Sequence, residues 1–135
     1  MSLASYIGCN IEIPLSDEES TDLIFVGTSY ADEFDKEVVK KKQFSTSFVY
    51  EISGLWGIEI TKYTDEQMNN ESRAKLIALC QMMNDYLKKG QYFEFYTCWI
   101  GEEGKNKEGE LILPIHFKEF EQIEIPPKTL VRFEK

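Results

Sequence analysis

The side chains able to do chemistry are few and scattered in this chain. His116 is the only histidine, and the three cysteines, Cys9, Cys80 and Cys98, lie far apart with no CxxC pair. A zinc site with two imidazoles is therefore impossible, and a Cys3His site would need all four groups to converge. An odd number of widely spaced thiols fits reduced, buried small hydrophobes better than a disulfide framework. The acids show no EF-hand spacing around a central glycine. Gly101, Gly104 and Gly109 sit among Glu and Lys rather than in a phosphate loop, and neither a G-x-S-x-G elbow nor an HExxH helix is present. His116 alternates with Ile112 and Pro114, opposite Leu111, Leu113, Ile115 and Phe117, as a partly exposed structural histidine would. No catalytic residue, metal or cofactor is expected, and the chain reads as a non-enzyme. Acid–base work by paired carboxylates alone is the one enzymatic option left.

Two groups of residues invite function. The run Tyr92-Phe93-Glu94-Phe95-Tyr96-Thr97-Cys98-Trp99 alternates, placing Phe93, Phe95 and Trp99 on one face and Tyr92, Glu94, Tyr96 and Cys98 on the other. A carboxylate flanked by two tyrosines can line a pocket for a cationic or polar aromatic ligand. The plainer alternative is an outward sheet face, where Tyr and Glu meet cross-strand partners such as Lys. The second group is acidic. Residues 1–67 hold 13 acids against 5 bases, whereas residues 68–135 hold 11 against 10, so the chain's charge of −9 is an N-terminal property. Asp17, Glu18, Glu19, Asp32 and Glu33 are its candidate interaction residues. Such a field repels phosphate backbones and anionic membranes and attracts a basic protein. Solubility alone is the plainer use of the same charge.

The elements that must position these groups fit in one domain, residues 1–135. Hydrophobic residues make up 42% of the chain, which argues for a packed core. No apolar run approaches the roughly 20 residues that span a bilayer. Met1-Ser2-Leu3-Ala4 carries no Lys or Arg, so a signal peptide is not expected and the reduced thiols point to the cytoplasm.

Residues 5–13 alternate, Ile7, Cys9, Ile11 and Ile13 against Tyr6, Gly8, Asn10 and Glu12, as a half-buried strand ended by Pro14. Leu23 to Gly27 reads as a second strand. Residues 30–42 read as a short helix, with Tyr30, Phe34 and Val38 every four residues behind a cap at Ser29, although paired valines would also suit a strand. Residues 44–63 read as a hairpin about Ser53-Gly54, with an irregular connection or a bulge at Gly57 bringing both apolar rows to one face. Trp56 is expected in the core beside that turn.

The helix at about 65–89 is the clearest element. Thr64 and Gln67 suit a capping box, Leu76, Leu79, Cys80, Met83 and Leu87 form one stripe, Lys88 and Lys89 close the last turn, and Gly90 offers a C-cap. Tyr92–Ile100 and Leu111–Phe117 read as a second antiparallel hairpin, followed by one or two short segments in 121–134. The expected class is α+β, a mainly antiparallel sheet packed by one long amphipathic helix and a second short one.

The second hairpin, Phe93-Glu94-Phe95-Tyr96 with Glu110-Leu111-Ile112-Leu113-Pro114-Ile115, loosely resembles the closing hairpin of GyrI-like effector-binding domains. Those domains bind small molecules in a cleft between two βαββ halves. The resemblance is confined to that segment and implies a small-molecule module, with no binding residues to carry over. The leading expectation is a small acidic protein-binding module of the inhibitor or immunity type, and the alternative is an effector-like module around Tyr92, Glu94 and Tyr96.

Overall fold

The alternation at the start of the chain forms strand β1 (Leu3–Cys9), shorter than the expected 5–13 segment. The computed structural model describes residues 2–52 and 56–135. The remaining elements are α1 (Glu33–Gln43), β2 (Phe48–Glu51), α2 (Glu66–Tyr86), β3 (Tyr92–Trp99), β4 (Gly109–Pro114), a one-turn 3-10 helix at Phe120–Gln122, and β5 (Thr129–Glu134). The strands make one mixed sheet in the order β2-β1-β3-β5-β4, and only the β4–β5 pair is parallel. The α+β class holds.

Both faces of β1 are buried rather than one, because it lies inside the sheet with a helix over each side. On one face Ile7 and Cys9 join Phe93, Phe95, Val131 and Phe133 beneath Leu76, Leu79, Cys80 and Met83 of α2. On the other, Ala4 and Tyr6 join Tyr96, Cys98 and Leu130 beneath Val39 of α1. The stripe expected of the long helix is thus the buried one. Its cap is Asp65, whose side chain accepts from Gln67 N–H, and not Thr64. The helix ends at Tyr86, so Lys88 and Lys89 fall beyond it. The Lys135 ammonium serves its last carbonyls instead, at 2.6 Å from Asn84 O and 2.7 Å from Leu87 O.

The short helix also forms, with different details. Its cap is Asp32, reciprocated by Asp35, and not Ser29. The Tyr30–Phe34–Val38 row is not its buried face: Val39 and Gln43 are buried, while Phe34 is 74% exposed. Leu23 to Gly27 is loop, not strand.

Neither expected hairpin appears among the described residues. The Ser53-Gly54 turn and its register lie outside them. Strand β2 pairs with β1, and of the expected second arm only Ile60 makes a bridge, to Ile125. Trp56 is 45% exposed rather than in the core. β3 and β4 are separated by β5, which inserts between them and so dissolves the hairpin that resembled an effector-binding domain. The side chains explain the order. Thr129, Leu130, Val131 and Phe133 of β5 are buried and suit an interior strand. In β4 only alternate residues are sheltered, and Pro114 lacks an N–H, so β4 takes the edge.

With 11 residues, α1 is roughly 16 Å long. It covers β1, β3 and Leu130 of β5, and leaves the same face open at Arg132 of β5 and along β4. Ile112, on that face, is 67% exposed.

Candidate functional site

The open part of the sheet begins at Glu94. Directly paired residues across a sheet share a face, and Gly8, Glu94, Arg132 and Ile112 make one such row across β1, β3, β5 and β4. Glycine at position 8 lets the turn after α1 settle onto the row. A Cβ there would lie 2.6 Å from Phe44 Cδ1 and would also collide with Thr46 Oγ1. That close approach brings Ser45 over Glu94, whose Oε1 accepts from Ser45 N–H at 2.9 Å and Ser45 Oγ at 3.0 Å. Arg132 Nη2 stands 3.4 Å from Oε2. Glu94 is 2% exposed, so the outward sheet face expected as the plain alternative is a covered one.

Past this pair opens a cavity of 330 Å³. Phe44, Leu130 and Ile112 supply its apolar wall, and Lys107 and Glu110 sit at its side, paired at 2.7 Å. Of the three expected pocket residues, only Glu94 reaches this cavity. Tyr92 lies under the Arg132 guanidinium, 4.2 Å from ring centroid to carbon, and faces a separate 220 Å³ hollow beside Leu87. Tyr96 is fully buried, edge-on to Phe44 at 6.4 Å. Its hydroxyl has no hydrogen-bond partner among the described residues, and burial, with Cys98 and the glutamates nearby, pushes its ionisation upward.

Two buried carboxylates had no expected role. Glu103 accepts from Tyr6 Oη at 3.0 Å and from Gly101 N–H at 2.9 Å, and burial holds its carboxyl above the usual carboxylate range. Gln43 Nε2 donates to the carbonyls of Glu103 and Lys105, so the end of α1 and the 101–108 loop are fastened together. Glu51 accepts backbone N–H groups from Ser29, Tyr30 and Ala31 at 2.8, 2.8 and 3.1 Å. In the sequence Glu51 is marked only by its charge between Tyr50 and Ile52, and Glu103, in Gly101-Glu102-Glu103-Gly104-Lys105, by nothing.

The five acidic candidates are all exposed and fall in two places. Asp17, Glu18 and Glu19 lie in a loop closed by Ser16 N–H to Val26 O at 2.9 Å. Asp32 and Glu33 open α1, where Asp32 is the cap and Glu33 pairs with Lys36 at 2.8 Å. Both places are tied to β2, through Gly27 N–H to Glu51 O and through the Glu51 carboxylate. Leu15, Leu23, Tyr30 and Phe34 are exposed among them.

His116 is exposed in the turn after β4, and Cys9, Cys80 and Cys98 are buried free thiols. Among the described residues no cluster of three His, Cys, Asp or Glu could hold a metal ion, and no helix is long and apolar enough to cross a membrane. No family model, curated protein or solved structure matches the chain.

Proposed function

We propose that the protein is a non-enzymatic binding module whose 15–34 segment docks a basic protein, in the manner of an inhibitor or immunity protein. One observation carries this reading. Leu15, Leu23, Tyr30 and Phe34 are exposed and interleaved with the exposed acids Asp17, Glu18, Glu19, Asp22, Asp32 and Glu33. Solubility explains the acids but not the apolar side chains between them. Aromatic anchors inside a charged rim are the usual division of labour at an interface.

The test is capture from native lysate, followed by kinetics with the captured protein. Phe34→Gln leaves α1 and its cap intact and should speed dissociation. Neutralising Asp17, Glu18, Glu19, Asp32 and Glu33 to their amides should slow association several-fold and flatten its salt dependence, since screening acts over about 10 Å at 0.1 M salt. Asp32→Asn is chosen because asparagine also caps helices. The control neutralises Glu71, Asp85, Glu119, Glu121 and Glu134, all exposed and elsewhere. A partner that is not basic, or equal effects from both sets, refutes the reading.

A further inference from the structure

The geometry points to the 330 Å³ cavity between the end of α1 and the open part of β5 and β4 as a binding site for a small organic acid, a carboxylate head on a short apolar body. This site is independent of the acidic segment and uses none of its residues.

Arg132 is the reason for the carboxylate. Its guanidinium has five N–H donors in one plane, the arrangement that matches a carboxylate in bidentate fashion. Among the described residues one contact to an acceptor engages it, Nη2 to Glu94 Oε2, and at 3.4 Å that contact is long. The guanidinium carbon lies over the Tyr92 ring, 4.2 Å from its centroid, a cation–π contact that holds the group in place without using any of its N–H donors on an acceptor oxygen. Its side chain is 35% exposed and lines the cavity, so those donors are accessible. An arginine held this way has lost its conformational freedom before any ligand arrives, which favours binding.

The rest of the lining agrees. The Glu94 carboxylate already accepts from Ser45 and Arg132, and Lys107 and Glu110 are paired with each other at the cavity's side. Arg132 is thus the charged group of the lining with the most open donors, and an acceptor-rich head is its complement. Leu130, Phe44 and the exposed Ile112 receive the apolar body. At 330 Å³ the space lies at the small end of the range for ligand pockets, enough for a short acid. Glu94 is a positioning residue here, holding Arg132 over Tyr92.

The experiment is amide chemical-shift titration of the full chain with hexanoate, hexylamine and leucine in parallel. Hexanoate should move the amides of Phe44, Ser45, Ile112 and Arg132 in a saturable way at millimolar concentration, with hexylamine moving none of them and leucine binding more weakly. Arg132→Gln should weaken hexanoate by roughly tenfold or more, the loss expected for a charge-assisted pair. Because that variant leaves the buried Glu94 without its cation, Ile112 provides the second arm at an exposed position. Ile112→Glu should weaken hexanoate several-fold more than Ile112→Lys, since both lose the isoleucine contact and only the glutamate repels the carboxylate. No saturable shift at these four amides, preference for hexylamine or leucine, or equal binding by Ile112→Glu and Ile112→Lys overturns the proposal.

Discussion

The carboxylate of Glu51 on the edge strand β2 receives the backbone N–H of Ala31 at 3.1 Å, one residue before the cap of α1. With the N–H groups of Ser29 and Tyr30 on the same carboxylate, Glu51 does for this loop what a turn of helix would do. Glu51 is 1% exposed and its bond with Ala31 N–H is buried, so removing the side chain leaves that donor without a partner.

Glu51→Ala should therefore destabilise the protein by about 3 kcal/mol or more, since buried donors left unmade cost more than an average hydrogen bond contributes. Glu51→Gln keeps Oε1 for Ser29 and Ala31 and turns a donor toward Tyr30, so about 1–2 kcal/mol is expected. Hydrogen exchange checks the cause. The Ser29, Tyr30 and Ala31 amides should lose protection before those of β1. Unchanged protection in Glu51→Ala would refute the role.

How legible was this in the sequence? The α2 stripe of Leu76, Leu79, Cys80, Met83 and Leu87 was readable because helical periodicity is local. Three features were not, for non-local reasons. Phe34 sits in period with Tyr30 and Val38, yet the covered side of α1 is set by where the helix meets Tyr6 and Tyr96, and it selects Val39 and Gln43. Glu94 reads as an outward residue because its cover, Ser45, arrives from 49 residues earlier. The hairpin of β3 and β4 fails because β5, later in the chain, has the more buried side chains and takes the place between them. Of Tyr92, Glu94 and Tyr96, only Glu94 lines the cavity. Arg132, the cation on which the proposed preference for an acid rests, has no sequence signal of its own, because residues 121–134 carry too little periodicity to place its side chain on a face.

Core packing predicts a large effect at α2. Leu76 is fully buried and Leu87 nearly so, and each should cost roughly 2–5 kcal/mol when cut to alanine. Cys80 lies in the same cluster, and burial pushes its thiol up to about 12. It should resist alkylation in the native protein and label at once in denaturant. Chemical denaturation that shows less than about 0.5 kcal/mol for both leucines would refute the packing.

Glu103 makes stability depend on pH with a defined sign. Burial raises its folded-state value above the ordinary 4.5, against the hydrogen bonds from Gly101 and Tyr6. Between 4.5 and the raised value the folded state holds more protons than the unfolded one, so this group's contribution falls as pH rises through that window. Glu103→Gln removes that slope. The variant's stability relative to the native sequence should rise with pH across the window and become constant on either side. Denaturation series at closely spaced pH values check this, and a difference that falls with rising pH would contradict it.

Gly8 offers the sharpest test of how the cavity is built. Its φ is ordinary for a strand, so alanine there is not opposed by the backbone but by Phe44 and Thr46, which occupy the space a Cβ needs. Gly8→Ala must push the 44–46 turn away from β1, and overpacking of this kind typically costs about 1–3 kcal/mol. The displacement takes Ser45 with it, so Glu94 loses its Oε1 donors while remaining under the protein surface. The Ser45 amide should shift and exchange faster, and Arg132 should be drawn closer to Glu94 as the only partner left. Hexanoate binding should weaken accordingly, because the same movement takes Phe44 off the cavity wall and turns the guanidinium inward. A Gly8→Ala protein as stable as the native one, with the Ser45 amide unmoved, would show that the turn does not rest on this glycine.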